Sequence, residues 1–116
     1  MLPNRIKLSQ KATDKLRSMK AGTGLTANIL SRIAIMLAIK DNNGLANVGI
    51  DEFDGQELNQ SVLFGEHILT YDVMIHQFIH EHQLNIPVAH VIALLIEIGI
   101  HKMGHVKKIE SLCDFF

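Results

Sequence analysis

The longest apolar run of the sequence, IPVAHVIALLIEIGI at 86–100, limits the folds open to this chain more than any other feature. It contains a histidine and a glutamate and is shorter than the roughly 20 residues that a membrane-spanning helix needs. We therefore interpret it as part of a buried helix at about 88–105, with Pro87 in the first turn. In a chain of 116 residues this helix predicts a single domain, residues 1–116, of mainly α class.

Apolar residues that recur three and four positions apart predict three further helices, at about 10–21, 27–40 and 68–82. Ser9 has the residue type and the position of an N-cap for the first of them. The helices at 27–40 and 88–105 carry more apolar surface than one small domain covers, so we expect an obligate oligomer.

The segment NRIKLS alternates polar and apolar residues and predicts a short strand with Arg5 and Lys7 on its outer face. A basic strand followed by two helices is the order of a ribbon-helix-helix module, in which two chains pair their strands and present such residues to the DNA major groove. Because a two-stranded ribbon is not stable in one chain, this interpretation requires a dimer. The same order also fits the ordinary start of a monomeric fold.

The stretch at 41–66 is predicted to be irregular, with one or two short strands in the whole domain. Asn43-Gly44 and Asp54-Gly55 are turn signals, and ELNQSVLFG could supply a second short strand.

The turn KAGTGLT connects the first two predicted helices. A phosphate-binding nucleotide loop needs a preceding strand and a lysine beside Ser or Thr, and neither is present. Gly22 or Gly24 instead suits the left-handed end of the first helix, and Thr26 suits the N-cap of the second. We predict that Thr23 or Thr26, with the free N–H groups of the second helix, meets a DNA phosphate and that ATP does not bind.

Charge divides the chain into a basic front part and an acidic remainder. Residues 1–40 contain eight lysines and arginines against one aspartate, whereas residues 41–116 contain three lysines against eleven acids. This distribution is typical of a nucleic-acid-binding segment on an acidic scaffold, although basic faces also keep helices soluble.

Histidines supply the alternative to a binding protein. Two pairs stand four residues apart on predicted helices, a spacing that suits one metal ion: His76 with His80 and His101 with His105. Gln77 stands where a metalloprotease needs its glutamate, so we expect no metal hydrolysis. No nucleophile has a base at a recognisable spacing. We predict a non-enzyme without a cofactor.

The single cysteine, Cys113, excludes an internal disulfide and suits a reducing compartment. The sequence starts without a basic-then-apolar leader. We expect a cytoplasmic protein without a membrane partner.

The segments NRIKLSQKATDKLRSMKAGTGLTANILSRIAI and DEFDGQELNQSVLFGE, followed by two terminal helices, resemble the DndE family of DNA sulfur-modification (phosphorothioation) proteins. The resemblance implies a compact helical fold, a homotetramer, and DNA binding within the machinery that replaces a phosphate oxygen by sulfur. It also implies partners, including a cysteine desulfurase and an iron–sulfur protein. The basic residues of the first helix are the implied DNA contacts: Lys11, Lys15, Arg17 and Lys20.

Three function classes therefore remain open to measurement. They are a DNA-binding accessory protein, an oligomeric scaffold that binds no DNA, and a metal-dependent enzyme that uses the histidine pairs.

Overall fold

The computed structural model describes residues 2–41, with residue 41 as backbone only, and residues 53–103. The elements in chain order are β1 (Arg5–Lys7), α1 (Gln10–Thr23), α2 (Ala27–Asp41), β2 (Glu57–Asn59), α3 (Gln60–Phe64), a 3-10 turn (Gly65–His67), α4 (Ile68–Glu81) and α5 (Val88–Lys102). The predicted mainly α class is confirmed, as is the strand-helix-helix order at the start. The predicted turn at 43–44, and the stretch beyond residue 103 that the last helix was expected to enter, lie outside the described residues.

The core is built where α2 crosses α5, the most extensive contact between two elements. A side chain at Gly99 of α5 would overlap the backbone of Ala34 in α2, so glycine is needed for this close approach. Ile35 and Ile96 are fully buried in the resulting core. No single helix in the described ranges is long and apolar enough to cross a membrane. Among those ranges, only α1 and α2 taken together reach that length and apolarity, and a 108° bend separates them.

The strand β1 pairs with β2 of the same chain in an antiparallel two-stranded sheet. Ile6 lies opposite Leu58 in this register, and both side chains are buried against the core. The ribbon-helix-helix interpretation assumed that β1 needs a second chain as its partner. That assumption is wrong, because a strand about fifty residues later supplies the hydrogen bonds. The outward direction of Arg5 and Lys7 is confirmed, since both are exposed.

Exposed apolar side chains gather on α3 and α4. Val62, Leu69 and Val73 have 58%, 79% and 70% of their surface exposed, and we call these three the α3–α4 apolar face. The sequence predicts the excess apolar surface on the second and last long helices, but α2 and α5 cover each other. The exposed apolar surface therefore lies mainly on α3 and α4 rather than on α2 and α5.

Candidate nucleic-acid interface

Acidic residues from the second part of the chain hold the N-terminus of the basic helix α1. Ser9 is its N-cap, as predicted, and the hydroxyl accepts from the Ala12 N–H at 3.0 Å while donating to Glu97 of α5 at 2.6 Å. The Gln10 N–H donates to Asp54 Oδ1 at 3.1 Å. Because the first turn of α1 has no acid of its own, these carboxylates complement its dipole. They also fill the place where α1 would otherwise attract an anion.

The segment before β2 is clamped to the same end of α1. Gly55 donates its N–H to the Leu8 carbonyl at 2.7 Å, and the Gln56 N–H donates to the Thr13 hydroxyl at 2.8 Å. A side chain at Gly55 would overlap the Ser9 carbonyl and the Thr13 hydroxyl. The predicted Asp54-Gly55 turn is therefore a packed connection, and its glycine is required by the close approach.

The four basic residues of α1 lie on two edges of the helix. Lys11 and Lys15 are four positions apart and share one edge, whereas Arg17 and Lys20 are three apart and share the other. Lys15 is half-buried and the other three are exposed. Asp14 lies between the edges and its carboxylate is 3.7 Å from the Arg17 guanidinium. The four residues predicted to contact DNA therefore lie on one helix but not on one surface patch.

The turn between α1 and α2 has the predicted left-handed glycine at the end of the first helix. Gly24 has a φ of 77° in the left-handed region, and its N–H donates to the Lys20 carbonyl at 2.9 Å. Gly22 lies inside α1, which runs two residues further than predicted. The Thr23 hydroxyl donates to the Met19 carbonyl at 2.7 Å and accepts from the Leu25 N–H at 3.2 Å. The Thr23 hydroxyl thus donates its one hydrogen and accepts another hydrogen bond within the turn itself.

The N-terminus of α2 is open, in contrast to that of α1. Thr26 caps it as predicted, because its hydroxyl accepts from the Ile29 N–H at 3.3 Å. Within the described part of the chain, the N–H groups of Ala27 and Asn28 have no hydrogen-bond partner. The first turn of α2 contains no acidic residue. Free N–H groups at a helix N-terminus are donors for a phosphate, and the Thr26 hydroxyl keeps its own hydrogen to donate.

A groove of about 470 Å³ joins these features. Leu16 and Ala27 form its apolar floor. Its polar and charged walls come from α1 and from the segment before β2: Gln10, Arg17, Lys20, Asp54 and Gln56. The second cationic edge of α1 and the first residue of α2, Ala27, therefore line one concave surface, which we call the α1 groove.

The basic residues of β1 are less available than those of α1. The Arg5 guanidinium is 3.7 Å from the Glu57 carboxylate, and Lys7 stands opposite Glu57 in the strand register. An acidic neighbour on β2 thus reduces the positive field of this sheet. The sequence identified the exposed cations but not Glu57, because nothing local indicates which strand pairs with β1.

The structure describes both members of only one histidine pair, His76 with His80. His76 Nδ1 lies 2.7 Å from the Asp72 carboxylate, while His80 is exposed one turn further on. Among residues 2–41 and 53–103, no group of three His, Cys, Asp or Glu side chains is placed to hold a metal ion. His105 and Cys113 lie outside these ranges.

These features define a small, mainly helical protein with a cationic groove beside an open helix N-terminus. Residues 5–111 match the family described as DNA sulphur modification protein DndE, and the chain belongs to this family. No curated protein matches it.

Two solved structures share the fold. The crystal structure of DndE from Escherichia coli B7A, involved in DNA phosphorothioation modification, has a TM-score of 0.76 and 26% identity over 89% of this chain and 98% of that one. A DndE mutant with two glycine-to-lysine substitutions, also involved in DNA phosphorothioation, has a TM-score of 0.72 and 24% identity over 89% and 99% of the two chains. The second likeness shows the fold alone.

Proposed function

We propose that this protein is a DNA-binding accessory protein of DNA phosphorothioation and that it contacts the phosphate backbone through the α1 groove. The observation that carries the proposal is that Arg17, Lys20 and Ala27, the first residue of α2, line one groove. Cationic side chains and a helix N-terminus are both common donors to DNA phosphates. Within the described ranges, no carboxylate forms an ion pair with Lys20.

The remaining basic residues have secondary roles in this proposal. Lys11 and Lys15, on the other edge of α1, attract the DNA and reach neighbouring phosphates. Arg5 and Lys7 contribute less, because Glu57 lies beside them. In the turn, Gly22 and Gly24 allow close approach of the backbone. Of the two threonines in the turn, Thr26 contacts the phosphate, because the Thr23 hydroxyl already donates its hydrogen within the turn.

The link to phosphorothioation is supported by family membership and by what is stated of the Escherichia coli DndE structure. The proposed role is non-catalytic, with a cysteine desulfurase and an iron–sulfur protein as partners. Nicked duplex is the preferred DNA in this proposal. An exchange of oxygen for sulfur that opens one strand leaves two ends, and an accessory protein can hold them together.

Self-association completes the proposal. The α3–α4 apolar face consists of three exposed aliphatic side chains on two consecutive helices, and a second copy of the chain would cover them. We propose a homotetramer built as a dimer of dimers, with this face in one of its interfaces.

A binding assay with the purified protein tests the function. Single-stranded, intact duplex and nicked duplex DNA are compared at two salt concentrations. We expect binding that weakens steeply with salt, because phosphate contacts release counterions, and that is strongest for the nicked duplex. A tetramer that binds none of the three DNAs would instead support the scaffold, and turnover that depends on added metal would support the enzyme.

A further inference from the structure

The α1 groove extends beyond the two cations that the proposed function uses. Its volume of about 470 Å³ lies within the roughly 300–1,000 Å³ of small-molecule sites. Beyond Arg17 and Lys20, the lining offers an apolar floor at Leu16 and Ala27 and hydrogen-bonding groups at Asp54 and Gln56. A phosphate alone uses none of these groups. Their combination fits a planar, polar ring attached to the phosphate.

We infer that the groove accepts one unpaired nucleobase next to the bound phosphate, and that Asp54 selects a base with an exocyclic amino group. The inference rests on the proposed function, because Arg17, Lys20 and the α2 N-terminus hold the phosphate of the same nucleotide. The Arg17 guanidinium is also flat and can stack on a base. An unpaired base is needed, since a base inside a duplex cannot enter a groove.

The selectivity follows from the hydrogen bonds of Asp54. One oxygen, Oδ1, accepts from the Gln10 N–H at 3.1 Å, and no other hydrogen bond of this carboxylate occurs within the described ranges. The second oxygen is therefore an acceptor at the groove wall. A carboxylate accepts from the exocyclic amino group of cytosine, adenine or guanine. Thymine has a carbonyl oxygen at that position, and its one donor, the N3–H, lies between two carbonyl oxygens that repel the carboxylate. Gln56, with an amide that both donates and accepts, tolerates any base edge.

The test uses the full chain and nicked duplexes that carry one unpaired nucleotide at the nick. The nucleotide is deoxycytidine, thymidine or an abasic unit, and binding is measured by fluorescence anisotropy. We expect deoxycytidine to bind roughly 5- to 10-fold more tightly than thymidine, the size of one net hydrogen bond to a solvent-exposed group. The abasic DNA should bind no better than thymidine.

Two variants separate a base contact from a general charge effect. Asp54→Asn retains an oxygen for the Gln10 N–H but presents an amide donor to the groove, so thymidine should now bind at least as well as deoxycytidine. Asp14→Asn removes a charge beside Arg17 without lining the groove. It should strengthen binding of all three DNAs equally and leave the preference for deoxycytidine unchanged.

Three results would contradict the inference, and they are distinguishable. Equal binding of the three DNAs by a protein that still binds nicked duplex would show that no base enters the groove, while the proposed function would stand. Absence of binding to every DNA would remove the proposed function and this inference together. A preference that survives unchanged in folded Asp54→Asn protein would contradict the role of Asp54.

Discussion

Thr13 and Ser31 have buried hydroxyl groups with opposite hydrogen-bonding states. The Thr13 hydroxyl donates to the Ser9 carbonyl and accepts from the Gln56 N–H, whereas the Ser31 hydroxyl has no partner within the described part of the chain. We predict that Thr13→Ala destabilises the fold by about 1–3 kcal/mol, since the Gln56 N–H loses its acceptor, while the Ser9 carbonyl keeps the bond from the Thr13 N–H. Ser31→Ala should be neutral or stabilising by up to about 1 kcal/mol, because alanine removes an unsatisfied group. Urea denaturation measures the free energy of unfolding of both variants. Equal losses of stability would contradict the different hydrogen-bonding states of the two hydroxyl groups.

Tyr71, the only tyrosine of the chain, makes the stability of the fold depend on pH in the alkaline range. Burial raises its pKa above the usual value of 10.0, and the nearby Arg32 charge opposes this in part. The hydroxyl donates to the Arg32 carbonyl at 3.4 Å. The neutral phenol is therefore favoured by folding, and its contribution is complete below pH 10 and lost as pH rises through the raised value.

We predict that the free energy of unfolding falls above about pH 10 and falls less in Tyr71→Phe. Tyrosinate absorbance in the ultraviolet reports this one group and should titrate later in folded than in urea-unfolded protein. Coincident titration curves would be inconsistent with the burial of the phenol.

The α1–α2 turn distinguishes two glycines that the sequence treated as equivalent. Gly24 is left-handed, and a side chain there would meet nothing within 4 Å, so substitution costs only conformational energy. We predict that Gly24→Ala destabilises by about 1 kcal/mol. Gly22 lies in α1 and is exposed, so Gly22→Ala should be neutral or stabilising by up to about 1 kcal/mol. Thermal melts of both variants check this contrast, and the reverse order would place the helix end at Gly22.

Local signals predicted the four long helices but not the short helix α3. Ser9 and Thr26 have cap side chains, and apolar periodicity requires no knowledge of the rest of the chain. A short strand was predicted within ELNQSVLFG and is found at Glu57–Asn59, whereas the following residues form the helix α3. Its pairing with β1 could not be predicted, because the two strands lie about fifty positions apart. The same limit applies to the α1 groove, since Asp54 and Gln56 were recognisable only as part of a turn.

The acidic part of the chain is not a separate scaffold in the folded molecule. Glu97, Asp54 and Glu57 each contact the basic part, at the Ser9 hydroxyl, the Gln10 N–H and the Arg5 guanidinium. The charge asymmetry of the sequence therefore overstates the charge asymmetry of the surface. Ser9 and Glu97 are 88 positions apart, so only the tertiary fold shows which acidic residues lie beside the basic part of the chain.

The α3–α4 apolar face is tested by the size of the assembly. Replacing Leu69 and Val73 by lysine places two charges in the proposed interface, so light scattering should show a smaller species than the wild-type oligomer. Glu81→Lys is the control, because Glu81 is exposed on the same helix about two turns beyond Val73. A wild-type monomer of 13.0 kDa at micromolar concentration would contradict self-association. An unchanged oligomer in the double variant would place the interface elsewhere.

The salt dependence of DNA binding by Arg17→Ala/Lys20→Ala protein tests the central claim most directly. If both cations bind phosphates, the slope of log affinity against log salt becomes shallower by about two, because each neutralised phosphate contributes about 0.9, while the oligomer is unchanged. Arg5→Ala/Lys7→Ala should change the slope by less than about one, because Glu57 offsets these cations. A wild-type slope in the Arg17/Lys20 variant, with a shallower slope only in the Arg5/Lys7 variant, would place the DNA on the sheet and contradict the α1 groove.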